Sequence, residues 1–211
     1  MIFETFPVGR LACNCTIVAD ETTREAIVID GGDGVADVME RLKRQGLRAK
    51  YLIHTHAHFD HIADVGGLRE RTSAQALLHP ADLPIYHQQP ALARMFGLPE
   101  MPPVVQLDGD LADGDRMTVG SVDFEVLHTP GHTPGSVCFA VRHNRDLRLV
   151  TGDTLFAGAI GRWDLGGTSM KDIVDSIGRK LMDYPDATPV IPGHGAFTTI
   201  GTERVSNPYL Q

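Results

Sequence analysis

The stretch Thr55-His56-Ala57-His58-Phe59-Asp60-His61 sets three imidazoles and a carboxylate in one short run. Imidazole is the commonest metal ligand, and a neighbouring carboxylate suits zinc, iron or manganese. His56 and His58 are two residues apart, so in extended chain their side chains share a face and can aim at one ion. Asp60 and His61 fall where the chain should turn into a helix, from which they can reach a second ion. A structural zinc site usually recruits cysteines and closes all four positions, whereas a set rich in His and carboxylate keeps a position for water. The run therefore points to catalysis.

Tyr51 to His54 reads as a buried strand that delivers this run, and residues 60 to 71 as the helix that follows it. Upstream, Cys13 to Ala19 and Ala26 to Asp30 are β-rich runs separated by Asp20-Glu21-Thr22-Thr23. Val35, Val38, Met39 and Leu42 keep helical spacing, with Asp33 as N-cap and Gly46 as the stop. Downstream come a short strand at Ala76 to Leu78 and a helix-and-loop excursion from Pro80 to about Gly97, containing Pro84 and Pro90, with Pro99 just after it. Arg116 to Val119 and Val122 to Leu127 flank Gly120-Ser121, a hairpin signal. Two more strands, Val137 to Val141 and Leu147 to Val150, flank a polar turn. Ser169-x-x-Asp172 opens a helix with a capping-box pattern, burying Met170, Ile173, Val174, Ile177 and Leu181. Thr188 to Ile191 is the last core strand. Neither a fixed-period repeat nor a low-complexity linker divides residues 1–211, so one domain is expected.

Three later turns carry further candidates. Pro130-Gly131-His132-Thr133-Pro134-Gly135 presents one imidazole on a rigid loop after a strand. Thr151-Gly152-Asp153 brings a carboxylate to a strand end, where its two oxygens can bridge two ions. Pro192-Gly193-His194-Gly195 repeats the design, with glycine on both sides. Ligands delivered from separate strand ends are how a rigid scaffold positions a site. Asp30, in Ile29-Asp30-Gly31-Gly32, is placed to hydrogen-bond a ligand histidine from behind and fix its tautomer. His54 is expected to point into the core, and His79, His87, His128 and His143 to lie on loops or strand surfaces.

The 211 residues are 42% hydrophobic and 22% charged, with a net charge of −8. That is an ordinary globular composition, and the negative balance argues against a nucleic-acid partner. Cys13, Cys15 and Cys138 are too few for a disulfide framework and are expected to pack as small hydrophobes. Glu4, Pro7 and Arg10 interrupt any signal-peptide core, and no apolar run approaches the ~18 to 20 residues of a membrane span. A cytoplasmic protein without a membrane partner is expected.

His56-Ala57-His58-Phe59-Asp60-His61, residues 130–135, Gly152-Asp153-Thr154 and residues 192–195 together resemble the motifs of the metallo-β-lactamase fold superfamily, in order and spacing. The resemblance implies an α/β fold, a four-layer αββα sandwich of two mixed sheets with helices outside. It implies two divalent metal ions, zinc first, with iron or manganese as alternatives. One ion would take His56, His58 and His132, the other Asp60, His61 and His194, with Asp153 bridging.

A narrower resemblance is to the short bacterial form of glyoxalase II, the hydroxyacylglutathione hydrolases. It rests on Arg94-Met95-Phe96-Gly97-Leu98, on Phe156-Ala157-Gly158-Ala159-Ile160-Gly161-Arg162 with Asp164, and on residues 201–204 and 207–210. It implies hydrolysis of a small-molecule thioester such as S-lactoylglutathione by a metal-activated water, with Asp60 orienting that water. A thiolate leaving group, with a pKa near ~8.5, needs little protonation on departure. Arg162 would meet a substrate carboxylate. Two departures stand out. The chain stops at Gln211, soon after His194, without the helical C-terminal domain that binds glutathione in longer relatives. Trp163 also stands where those relatives carry a small hydroxyl residue, so a bulky indole would reshape substrate choice. The alternatives are a persulfide dioxygenase with a single iron and a lactonase. A β-lactamase of the commonest class would carry Cys at Asp153, and a nuclease would want a basic surface. A non-enzymatic scaffold would have lost ligands, whereas all seven positions are filled.

Overall fold

The computed structural model describes residues 1–95, 101–164 and 168–211. Two six-stranded sheets stack face to face. The first runs in the order β1 (Ile2–Val8), β2 (Cys13–Ala19), β3 (Glu25–Ile29), β4 (Arg48–Ile53), β5 (Gln75–Leu78) and β6 (Gly109–Asp110). It is antiparallel from β1 to β3 and parallel from β3 to β6. The second contains β7 (Arg116–Val119), β8 (Val122–His128), β9 (Val137–His143) and β10 (Asp146–Gly152). A small hairpin, β11 (Leu155–Phe156) with β12 (Ala159–Ile160), precedes β13 (Pro189–Pro192) and β14 (Thr198–Thr199), which complete that sheet.

Helices α1 (Val35–Gln45), α2 (Phe59–Ile62), α3 (Val65–Thr72) and α4 (Leu83–Met95) belong to the first half of the chain, and α5 (Met170–Lys180) and α6 (Ile200–Ser206) to the second. The layering follows from strand periodicity, because successive side chains point to opposite faces. On β9, Val137, Phe139 and Val141 enter the core between the sheets, while Cys138 and Ala140 join Ile173, Ile177 and Leu181 of the α5 segment. On β3, Ile27 and Ile29 face the other sheet, and Ala26 and Val28 join Val38, Leu42 and Leu68 beneath α1 and α3. This is the expected αββα sandwich with two mixed sheets. Phe139 is fully buried at its centre, where truncation to Ala would cost about 3–5 kcal/mol.

Strand direction decides where the loops meet. β8 and β10 each pair antiparallel with β9, and β13 pairs parallel with β10. All three therefore end on the same edge of the second sheet. The end of β4 is tied to that edge by the Val137 N–H, which donates to the Thr55 carbonyl at 2.8 Å. The Asn14 N–H likewise donates to the Gly193 carbonyl at 2.7 Å.

Four local expectations need correction. The helix expected over 60–71 is broken into α2 and α3, because the Asp64 N–H turns away to the Gly32 carbonyl (2.9 Å) and its carboxylate caps the next turn through the Gly67 N–H (3.0 Å). Gly34, rather than Asp33, begins α1, and no side chain caps it. Asp33 lies instead against Gly9, where a Cβ would stand 1.8 Å from its oxygen. Met170 faces solvent on the first turn of α5, although the capping box of Ser169 and Asp172 forms as expected. His87 sits on α4, exposed, rather than on a loop or strand. The Pro80-to-Gly97 excursion resolves into a 3-10 turn (Pro80–Asp82) and α4; Phe96, Gly97, Leu98 and Pro99 lie outside the described residues. β1, the β11–β12 hairpin and α6 carried no sequence signal strong enough to be anticipated. All three cysteines are free and buried, and no helix among the described residues is long and apolar enough to cross a membrane.

Candidate active site

Each of the seven predicted side chains stands just beyond a strand end. His56 and His58 follow β4, Asp60 and His61 occupy α2, His132 sits in the loop after β8, Asp153 follows β10, and His194 follows β13. The fold brings all seven together, in two overlapping groups.

In the first group, His58 Nδ1 lies 3.0 Å from His56 Nε2 and 2.9 Å from His132 Nε2. The rings stand nearly perpendicular, with centroids 4.6 to 4.7 Å apart. A single proton on His58 Nδ1 could serve only one of those two contacts, so three nitrogens at this spacing suit a shared cation. In the second group, His194 Nε2 lies 2.9 Å from Asp60 Oδ2, and His61 Nε2 lies 3.5 Å from both Asp60 Oδ2 and Asp153 Oδ1. Asp153 spans the two groups. Its Oδ1 faces His61, and its Oδ2 stands 3.6 Å from His132 Nε2.

The backs of four imidazoles fix which nitrogen looks inward. His61 Nδ1 donates to Asp30 Oδ2 at 2.9 Å, and His132 Nδ1 donates to the Arg162 carbonyl at 2.8 Å. His194 Nδ1 donates to the Leu11 carbonyl at 3.1 Å. The Thr55 hydroxyl gives its proton to Asp30 Oδ2 (2.7 Å), which leaves its oxygen to accept from His56 Nδ1 (3.1 Å). Each Nε2 of these four is thereby the nitrogen turned to the interior, where a cation can take the place of a proton, the arrangement that metal-binding histidines use. Asp30 thus stands behind the site as anticipated, held with a positive φ of 54°. Asn and Asp tolerate that conformation better than most residues.

The residues fit a cation on independent grounds. His61 Nε2 and Asp153 Oδ1 are buried without any hydrogen-bond partner, and orphaned polar atoms of this kind are costly unless something pairs with them. Burial pushes the His58 and His132 pKa down to about 4 and His56 well below its usual value, each reinforced by neighbouring imidazoles. Neutral imidazole is the ligating form. Burial works to raise Asp60, but the His194 hydrogen bond and nearby His61 outweigh it and hold the carboxyl at about 2. Burial opposes protonation of His61, yet neighbouring Cys13 and the carboxylates of Asp30 and Asp153 hold its pKa well above the usual range, so this half of the centre calls for positive charge.

The two predicted substrate residues are placed differently from the ligands. The exposed Arg162 guanidinium makes a two-pronged ion pair with Asp164, both bonds at 3.0 Å; what reaches the site is its main-chain carbonyl. The Trp163 ring packs toward the outer core beside Tyr209, centroids 6.1 Å apart. His54 is buried, as expected, with Nδ1 donating to the His61 carbonyl at 3.1 Å. Sequence reasoning missed the supporting residues Thr55, Asp82 and Gln89, whose partners lie far away along the chain. It also assigned Cys13 to packing alone, whereas its sulfur lies 3.5 Å from His61 Nδ1.

The family model of the metallo-beta-lactamase superfamily matches residues 8–194. Among curated proteins, a hydroxyacylglutathione hydrolase named GloC from Haemophilus influenzae is 33% identical, covering 100% of this chain and 98% of its own. Among solved structures, BLEG-1 B3 metallo-beta-lactamase is 34% identical with a TM-score of 0.88, covering 100% of both chains. The protein TTHA1623 in a di-iron-bound form is 36% identical with a TM-score of 0.84, covering 97% of this chain and 98% of that one.

Proposed function

The chain belongs to the metallo-β-lactamase superfamily, and from that membership we infer that it is a metal-dependent hydrolase whose substrate is a small thioester of the hydroxyacylglutathione class. The observation that carries the metal dependence is the set of inward Nε2 atoms: four imidazoles tethered from behind, with a carboxylate spanning two groups of ligands. In this reading His56, His58 and His132 hold one divalent ion, Asp60, His61 and His194 the other, and Asp153 both. Zinc suits the donors, and the di-iron form of a relative keeps iron open as the native metal. Such ions supply a water acidic enough to lose a proton near neutral pH and a Lewis acid for the carbonyl.

The chain's own residues do the rest. Asp60 stays ionised at neutral pH, so its carboxylate can accept a hydrogen bond from the attacking water and fix its direction. The Asp30–His61 and Arg162–His132 hydrogen bonds hold Nδ1 of each ring and so turn its Nε2 inward, where a cation would replace the proton. No general acid is required for the leaving group, because a thiolate with a pKa near ~8.5 departs unprotonated. Thioester specificity is supported by the relation to GloC over the full length of both chains.

A second reading, β-lactam hydrolysis, is favoured by the equally extensive likeness to BLEG-1. Protein of known zinc or iron content, assayed side by side on S-lactoylglutathione, a lactone and a β-lactam, separates these readings. Thioester turnover at least ~100-fold above either alternative is expected. Oxygen consumption with glutathione persulfide, in place of thioester turnover, would overturn the hydrolase reading in favour of a dioxygenase.

A further inference from the structure

Ala57 separates His56 from His58, and both of its main-chain polar groups are taken by side chains from a distant segment. Its N–H donates to Asp82 Oδ2 at 2.9 Å, and its carbonyl accepts from Gln89 Nε2 at 2.7 Å. The first group belongs to the peptide plane joining His56 to Ala57, the second to the plane joining Ala57 to His58. The backbone carrying both imidazoles is therefore clamped from one side by the 3-10 turn and α4.

The same carboxylate reaches the other ligand loop. Asp82 Oδ2 also accepts from the Thr133 hydroxyl at 2.8 Å, and Oδ1 accepts from the Gly135 N–H at 2.6 Å. Those residues flank the loop that presents His132. A Cβ at Gly135 would stand 2.7 Å from Asp82 Oδ1, so the close approach requires glycine there. Asp82 is fully buried and Gln89 nearly so. The three groups that meet Asp82 are all donors, a pattern only an all-acceptor carboxylate satisfies.

We propose that Asp82 and Gln89 are positioning residues that hold His56, His58 and His132 in one facing set before a cation arrives. The proposal rests on the two-ion reading above. Asp82 and Gln89 fasten the backbone of the three-histidine group, while Asp30 and the Leu11 carbonyl support His61 and His194, Asp30 reaching His56 only through the Thr55 hydroxyl.

The test is zinc titration against a chromophoric chelator in two backgrounds. His194→Ala disables the second group and reports on the first; His58→Ala does the reverse. Asp82→Asn places an amide donor against a donor, and is expected to weaken zinc binding about 10- to 100-fold in the His194→Ala background. In the His58→Ala background it should change binding less than about threefold. Gln89→Leu, which keeps the helix and removes one bond, should shift the first background alone and carries the test should Asp82→Asn fail to fold. The cobalt(II) absorption spectrum of the three-histidine group should differ from that of the parent background in both variants. Unchanged affinity in the His194→Ala background, or equal loss in both backgrounds, would overturn the positioning role. Failure of the two-ion reading would show separately, as fewer than two equivalents bound by the unmodified protein.

Discussion

His132 donates through Nδ1 to the main-chain carbonyl of Arg162 at 2.8 Å, so the orientation of this imidazole depends on where the chain runs after β12 and not on the arginine side chain. The guanidinium itself is exposed and paired with Asp164. Arg162→Ala is therefore expected to keep full metal content and an unchanged Tm. If the guanidinium meets a substrate carboxylate, KM rises while kcat holds. Metal analysis with steady-state kinetics checks this, and metal loss would show that the side chain is needed to place the carbonyl.

Gly193 is not itself in the ligand set, yet it governs it. A Cβ there would lie 2.2 Å from Asp153 Oδ1 and 2.8 Å from His61 Cε1. Gly193→Ala should push Asp153 out of its spanning position and lower metal affinity by at least about 10-fold, comparable with loss of an outer supporting contact. Isothermal titration of the metal-free protein with zinc measures the change. Affinity equal to the parent would mean that the loop after β13 relaxes freely.

Asp30 collects three donors: the Thr55 N–H, the Thr55 hydroxyl and His61 Nδ1. Asn tolerates the same positive φ, so Asp30→Asn should fold while turning an amide donor toward one of those groups. Metal affinity is expected to fall about 10- to 100-fold. Chelator competition is the readout, and the circular dichroism spectrum should not change.

Far from the site, Asp20 ties the β2–β3 turn to the β7–β8 hairpin. Its carboxylate accepts from the N–H groups of Thr22, Thr23 and Ser121 and from the Ser121 hydroxyl. The Ser121 hydroxyl and these backbone donors depress its pKa below the usual carboxylate value. A depressed native pKa stabilises the fold above the unfolded value of ~3.9 and loses that contribution as pH falls toward the native one. Asp20→Ala should thus lower Tm clearly at pH 7, and the gap to the parent should narrow steadily below pH ~4. Differential scanning calorimetry across that range tests the sign. A constant gap would assign the effect to packing.

The elements that could be read from sequence are those whose determinants are local. The continuous apolar run from Val137 to Val141, the capping box at Ser169 and the Gly46 stop each specify their element without help from distant chain. The seven clustered side chains were legible because four crowd into one run, His56 to His61, and the other three, His132, Asp153 and His194, each follow a glycine in a short turn. The break after Ile62 was not, because it depends on Asp64 meeting the Gly32 carbonyl. Asp82 and Gln89 were invisible for the same reason. Nothing near them in sequence marks them as partners of Ala57, and only the packing of α4 reveals it. Arg162 and Trp163 were assigned by their chemistry, while their backbone path decides what actually reaches the centre.

Both ligand groups draw on both sheets, and this has a consequence for biosynthesis. A nascent chain holds every member of the three-histidine group once His132 has been made, but Asp153 and His194 come only with β10 and β13. Synthesis of those three histidines does not by itself complete their half, because the Arg162 carbonyl that orients His132 and the spanning Asp153 are made later. Both halves therefore wait for the second sheet, and His194, just after β13, is the final ligand delivered.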